Sequence, residues 1–531
     1  MPAWRPNSSF KTGTTPAASQ DFRIPEDVLE EVFRCYLTTL PWDVVPRAPP
    51  DPTLKQWSSR QGDVAELLLL SKVTKPILEK VLYSSPYLPT VDRLCAFASS
   101  VLKGDSRWDS LKRIPYSTPG RYVQVLDLSH LDEPLGEASR DEEFASTQGG
   151  LNSLAGNGLR LNGCLNTLFP LLPHLEVLIL PSSIPVAPST LRALQSAPSR
   201  SKAKVIHGLV LTQAVEPKPI KHESADATSD LDSMIRFLKA FPNLRDVSIK
   251  GYGDIDPGFS ITHNPQPPLD LQRLESMTLH GVKSGLFIGA LCDQEASLPS
   301  LRRLDLTCYA HQPGDLTVDL LRVHGSKLHS LTLRAPTDWP PLRIPPPSET
   351  LFLCPHLQVL KFLDSNTLPP TETFEDPALP FTAAQHCSLR HLSISKWSTA
   401  PAFRDGPHPP STGQFEQLIE TLIRNLPPNL DDVTVEGFTW LRKPLGKAGM
   451  SAGVNGVCRR LSGALAVRGV RMLDKDGTER PDVTGMSATA AFGMTSLARG
   501  LQHAGGPRLG MKGFGERRRP SMDGDVDDES G

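Results

Sequence analysis

Residues that could carry out bond chemistry are sparse and scattered. Gly449-Met450-Ser451-Ala452-Gly453 has the Gly-x-Ser-x-Gly spacing of a nucleophile elbow. That device needs a buried strand before the serine and a helix after it. Residues 443–448 contain Pro and Gly and read as a loop, so Ser451 is expected in a loop near a helix start. No Gly-rich phosphate loop ending in Lys-Ser/Thr is present, nor any His-Glu-x-x-His pair. The eight cysteines, Cys35, Cys95, Cys164, Cys292, Cys308, Cys354, Cys387 and Cys458, contain no Cys-x-x-Cys pair. A lone Cys in an apolar strand or helix usually serves as a small core residue, whereas metal ligation needs clustered ligands. Of the fourteen histidines, His174, His329, His356 and His391 fall beside or within apolar phrases, where surface or satisfied positions are the default. The expectation is a chain that is not an enzyme and uses no cofactor or metal.

Composition narrows the partners. The 531 residues carry 56 basic and 58 acidic side chains, net −2, which argues against a nucleic-acid binder with a concentrated basic face. No apolar run approaches the length needed to span a membrane. Residues 1–20 are polar and rich in Pro, Ser and Thr, without the apolar core of a signal peptide, and are expected to be disordered. The reading is a soluble protein of a reducing compartment, cytoplasmic and/or nuclear, with neither nucleic acid nor membrane as partner. From residue 475 to 531, Gly, Ser, Thr, Arg and Asp dominate and no period survives, so a disordered tail is expected. Within it, Arg517-Arg518-Arg519-Pro520-Ser521 has the look of a basophilic kinase site, with Ser521 as the candidate phosphosite.

What must position any functional face is a recurring phrase, apolar-x-x-apolar-x-apolar. Leu274-Glu-Ser-Met277-Thr-Leu279 recurs as Leu301-Arg-Arg-Leu304-Asp-Leu306 and as Leu328-His-Ser-Leu331-Thr-Leu333, with starts 27 residues apart both times. Upstream copies begin at Val123, Leu175, Ile206 and Leu244, and downstream copies at Leu357, Leu389 and Leu430, making ten. Each alternates like a strand over its last half, and one such strand cannot bury its apolar side alone. Helices are expected over residues 229–241, 415–426 and 454–466, with a closing strand at 470–473. The acidic, irregular segment 132–153 leaves room for one degenerate repeat near Leu159. With the apolar positions turned inward, alternation sends the intervening residues outward. These are Ser276, Thr278 and His280; Arg303, Asp305 and Thr307; Ser330, Thr332 and Arg334; then Lys361, His391 and Ser393. The candidate partner-binding residues are His280, Arg303, Asp305, Thr332, Arg334, Lys361 and His391. On earlier strands, Val177, Ile179 and Val210 would point outward.

The array resembles an irregular, long-repeat leucine-rich-repeat domain over residues 120–474. The resemblance implies an α/β fold: a curved solenoid with a parallel sheet on its concave side. The Asn usual after such a strand is missing, and Tyr252, Tyr309, Trp397 and Phe438 stand there in four repeats, which suggests aromatic packing at the turn.

Ahead of the array, Ile24-Pro25-Glu26-Asp27-Val28-Leu29-Glu30-Glu31-Val32-Phe33 opens a helix. Pro25 suits the first turn, Glu26 and Asp27 suit its positive end, and Val28, Leu29, Val32, Phe33 and Tyr36 share a face. A second helix fits residues 63–75, and helical spacing continues through Ile77, Leu78, Val81 and Leu82, with one more helix over residues 94–102. The opening residues, with Leu70-Ser71-Lys72 downstream, resemble the F-box, an all-α module, here placed within residues 21–105. The chain departs from that family in a longer loop over residues 38–62 and in Val73 and Thr74 where an aromatic often follows Ser-Lys. The resemblance implies that Ile24, Pro25, Val28, Leu29, Val32, Phe33 and Leu37 dock on the Skp-type adaptor of a cullin–RING ubiquitin ligase, with the repeats holding a substrate protein. The alternative is a non-catalytic repeat scaffold whose N-terminal helices cap the open end of the array.

Overall fold

The computed structural model describes residues 75–112, 119–132, 147–211, 233–251, 269–282, 285–293, 298–307, 316–334, 349–363, 386–395, 423–440 and 453–480, with 25, 28, 29, 31, 32, 347 and 421 besides. The chain divides into two compact units, Met1–Gly437 and Phe438–Gly531. Ser451, Ser521 and residues 63–74 of the helix expected over 63–75 lie outside the described residues, as does most of 415–426.

The first unit is built on ten short strands: β1 Val125–Asp127, β2 Val177–Ile179, β3 Val205–Leu211, β4 Asp246–Gly251, β5 Ser276–His280, β6 Arg303–Thr307, β7 Ser330–Arg334, β8 Val359–Leu363, β9 His391–Ser395 and β10 Asp432–Glu436. They lie side by side in chain order, and every neighbouring pair is parallel. The described helices of this unit are α1 Lys75–Ser84, α2 Val91–Lys112, α3 Thr147–Leu168, α4 Pro188–Gln195, α5 Ser233–Lys239, α6 Gly285–Cys292, α7 Leu316–His324 and α8 Thr350–Leu353. Consecutive helices touch along the array, α3 on α4, α4 on α5, α6 on α7 and α7 on α8. The result is a solenoid-like α/β arrangement in which each strand–helix step packs on the next.

Two features hold the steps in register. The central apolar residue of each phrase lies opposite its counterpart, giving one column of Leu126, Leu178, Ile206, Val247, Met277, Leu304, Leu331, Leu360, Leu392 and Val433. None of the ten is more than 2% exposed. Just before each strand, the carbonyl of the phrase's second residue accepts two amides from the next phrase. Glu275 O takes Arg302 N–H at 2.9 Å and Arg303 N–H at 3.0 Å, and Arg302 O takes His329 N–H at 2.8 Å and Ser330 N–H at 3.0 Å. The same fork recurs from Gln124 to Arg390.

The fork corrects the reading of β3. The phrase expected to start at Ile206 starts at Ala203: Lys204 O serves Arg245 and Asp246, and Ile206 sits in the central column opposite Val247. A bulge between Ile206 and Leu209 restores Leu209 to the partner of Ile249. Gly208 makes the bulge feasible, with φ +71 and a would-be Cβ only 2.1 Å from the Leu180 carbonyl oxygen. Ala203 is too small to stand out as an apolar opener, and the inserted residue breaks the spacing.

The degenerate repeat expected near Leu159 is absent. That stretch belongs to α3, whose Leu161, Leu165 and Leu168 are buried at helical spacing while Leu159 faces solvent. The helix expected at residues 94–102 is the longer α2, and residues 233–239 of the expected 229–241 helix form α5.

Two buried imidazoles staple successive steps. His386 Nδ1 accepts Leu389 N–H at 3.2 Å, which leaves Nε2 as the donor to Cys354 O at 2.9 Å. His324 Nε2 lies 2.8 Å from Leu291 O. Burial pushes both imidazoles below the ordinary histidine range, outweighing the hydrogen bonds that favour the charged form.

In the second unit, α9 Gly453–Val467 leads into β11 Arg471–Leu473, matching the expected final helix and strand. Asp474 organises it: Oδ2 accepts Trp440 N–H at 3.1 Å, and Oδ1 accepts the amides of Asp476 and Thr478 at 3.0 and 2.8 Å. Phe438, one of the four aromatics expected at turns, is buried and packs edge-on to Trp440 at 4.7 Å. Tyr252, Tyr309 and Trp397 lie outside the described residues. Among the described residues no helix is long and apolar enough to cross a membrane.

Gly281 also has positive φ, at +62, but open space where a Cβ would stand. Gly281→Ala is therefore expected to cost about 1–2 kcal/mol from backbone strain alone. Gly208→Ala should cost more, because the β2–β3 pairing must also open. Urea denaturation of the two variants checks the order. Because His386 is held neutral, the unfolded chain takes up its proton first. The stability His386 contributes is full above about pH 6.5 and is lost as pH falls toward the lower folded value. Melting curves at about pH 7.5 and about pH 5.5 should show a smaller acid-induced drop for His386→Ala than for wild type.

Candidate binding face

The side of the sheet opposite the apolar column carries the third and fifth residues of each phrase. In register, the third-position row runs Asp246, Ser276, Arg303, Ser330, Val359, His391, Asp432, and the fifth-position row Ser248, Thr278, Asp305, Thr332, Lys361, Ser393, Thr434. The final residues of β5 and β7, His280 and Arg334, project on the same side.

Asp305 on β6 is the centre of the best-formed cluster. Arg334 Nε donates to Oδ1 at 2.8 Å and Arg334 Nη2 to Oδ2 at 2.9 Å, a two-pronged pairing of planar groups. From the other neighbouring strand, His280 Nε2 lies 3.1 Å from Oδ1. Strand geometry explains the convergence: the last residues of β5 and β7 stand diagonally ahead of the fifth position of β6, within reach of long side chains. Burial opposes ionisation of Asp305, but the hydrogen bonds and charges of His280 and Arg334 outweigh it and hold the carboxyl below its ordinary range.

Two further acids repeat the theme. His207 Nε2 lies 2.8 Å from Asp246 Oδ1, a close contact without hydrogen-bond geometry, and Arg303 Nη2 lies 3.9 Å from Asp246 Oδ2. His391 Nδ1 lies 2.9 Å from Asp432 Oδ2, and beside it Ser393 Oγ donates to Glu436 Oε1 at 2.9 Å. In each of the three cases the histidine stands on the strand before that of its acid: β3 to β4, β5 to β6, β9 to β10.

Of the residues expected on this face, His280, Asp305 and Arg334 come together in one cluster. Arg303 joins the Asp246 pair, Lys361 stands half-buried beside Thr332, and His391 lies at the β9–β10 end. Thr332 shares the row but is buried, so it fills the face rather than offering a hydroxyl. Asp246, Asp432, Glu436 and His207 were not anticipated. The same alternation, applied to the phrases starting at Leu244 and Leu430, marks Asp246, Asp432 and Glu436. The bulge hides His207.

Of the N-terminal site residues, Pro25, Val28, Leu29 and Val32 are described, while Ile24, Phe33 and Leu37 lie outside the described residues. Pro25 O accepts the amides of Val28 and Leu29, both at 3.1 Å, so Pro25 opens a helical turn as expected. Val28 and Val32, one turn apart, are 49% and 55% exposed.

Among the described residues, no group of three or more His, Cys, Asp or Glu could hold a metal ion. Chemically, the face offers ion-pairing and hydrogen-bonding groups on a rigid backbone. No protein-family model matches the sequence, and no curated protein matches it.

Asp305→Asn combined with Arg334→Ala in a double-mutant cycle should yield a coupling of about 1 kcal/mol at neutral pH. Folding lowers the Asp305 pKa, so this stability is present above about pH 4 and is lost as pH falls through the lower folded value. Chemical denaturation across that window checks both the size and the direction.

Proposed function

We propose that this chain is the substrate-recognition subunit of an SCF-type ubiquitin ligase. In this reading the N-terminal helix is an F-box docking on the Skp-type adaptor of a cullin–RING ligase. The strands are leucine-rich repeats whose polar face holds a substrate protein. The observation that carries the reading is the exposed apolar pair Val28 and Val32 on the turn opened by Pro25. Residues one turn apart share a helix face, and a partner's pocket can draw about 2 kcal/mol or more from such an anchor. The sequence resemblance of residues 22–83 to the F-box and of residues 120–474 to leucine-rich repeats supports the same assignment. The chain would do no bond chemistry. Holding the substrate near the ubiquitin-loaded enzyme turns a rare encounter into an intramolecular one.

The test is co-purification of adaptor with wild type and with Val28→Asp/Val32→Asp, with thermal melting run beside it. Adaptor capture should fall by about thirtyfold or more, the equivalent of one anchor. The melting temperature should stay put, since both side chains already face solvent. Arg303→Glu/Lys361→Glu should instead abolish substrate capture and spare the adaptor. Wild type that captures no adaptor at high concentration would end the ligase assignment in favour of the capped scaffold.

A further inference from the structure

Helices α2 and α3 pack along one another at the start of the first unit. Leu94, Ala98 and Val101 of α2 and Leu161, Leu165 and Leu168 of α3 are buried. Cys95 and Cys164 stand beside this seam, both half-buried, with their Sγ atoms 2.8 Å apart. A disulfide needs about 2.05 Å, so the sulfurs must approach by only about 0.8 Å. Of the other described cysteines, Cys354 and Cys458 are buried, Cys387 is exposed, and Cys292 directs its thiol to Leu316 O at 3.8 Å.

A second observation concerns Arg160, one turn before Cys164 on α3. Its guanidinium pairs with Asp92 on α2 and also lies within reach of the Cys95 sulfur. A cation beside a thiol favours the thiolate, the nucleophilic form. The same charge also favours the thiolate of Cys164, as the smallest of the causes acting there. On the other side, burial and the contact with Cys95 push the Cys164 thiol up to about 12, so it stays protonated at neutral pH.

We propose that Cys95 and Cys164 are a reversible disulfide site, oxidised by exchange with a small-molecule disulfide of the glutathione class. The Cys95 thiolate attacks one sulfur of that disulfide. A mixed disulfide forms on Cys95, and the first small thiolate leaves and takes up a proton. Cys164 then gives up its proton and attacks the Cys95 sulfur, closing the Cys95–Cys164 bond and releasing the second small thiol. Two protein thiols are oxidised and one small disulfide is reduced to two thiols; an excess of small thiol reverses both steps. The bond joins residues 69 positions apart and ties α2 to α3, the helices flanking β1 in the chain. Cross-linking restricts the unfolded chain, so the oxidised form is the more stable. The site stands independently of the ligase assignment.

The full chain is equilibrated in glutathione buffers of rising disulfide-to-thiol ratio, quenched by alkylation and mapped by mass spectrometry. The linked Cys95–Cys164 peptide should accumulate from the native protein, with loss of two hydrogens from the intact mass and a rise in melting temperature. Excess thiol should reverse all three. Cys164→Ser should trap glutathione on Cys95, whereas Cys95→Ser should trap far less on Cys164. A linked peptide that never forms, or forms only after the chain is unfolded in denaturant, overturns the proposal, and the wild-type mapping decides this without relying on any variant.

Discussion

A carbonyl that serves two amides of the next strand is the interaction on which the rest of the first unit depends. Strands of three to seven residues have too little surface to hold a register alone. The fork at the second residue of each phrase sets that register at the strand's entrance. Register sets parity, because side chains alternate with a period of two and a slip of one residue would exchange the two faces. The column from Leu126 to Val433 and the polar rows behind it are therefore two consequences of one hydrogen-bond pattern. β3 shows how strictly the pattern is kept. It carries an extra residue, and the chain sheds it as a bulge at a glycine rather than shift the fork or the column.

Keeping parity also means that turns between phrases must close in the same place. In most phrases the first residue's amide reaches back three residues to a carbonyl, as Leu301 does to Leu298 and Leu328 to Gly325. At Leu389 the imidazole of His386 takes the acceptor's place and extends across to Cys354, one step earlier. A neutral ring is required there, since Nδ1 must keep its lone pair. Burial keeps it neutral, so the group that joins two steps is also the one that acid would disrupt.

The strand phrases were legible because an apolar period of two and an equal spacing of 27 residues are both local properties of the chain. What could not be read depends on neighbours distant in sequence. Ala203 opens its phrase because Lys204 O serves Arg245, 41 positions on, a bond that no local pattern marks. The pairing of Asp305 with His280 and Arg334 crosses three strands diagonally, and its partners lie 25 and 29 positions away. Cys95 and Cys164 each read as a lone core residue until two helices brought them together. The α3 segment misled for a different reason: its buried leucines are diluted by Gly and Asn, so neither period stands out.

The charge on the polar face of the sheet follows from the same geometry. Asp246, Asp305 and Asp432 have short side chains close to the sheet, and their side chains are 8%, 22% and 9% exposed. The bases that meet them are longer and stand higher: Arg303, Arg334 and His391 are 36%, 27% and 47% exposed. Each acid is paired with its own neighbours, which leaves the guanidinium groups of Arg303 and Arg334 outside their carboxylates on a chain of net charge −2. Exposed charges of this kind steer encounter and select partners more than they hold them. Residence must come from contacts that exclude water. On this sheet the half-buried Val177, Ile179 and Val210 of β2 and β3 are outward apolar side chains of that kind. The face thus joins an apolar end to a charged middle, two physical demands that a single bound segment could satisfy only by running across the strands.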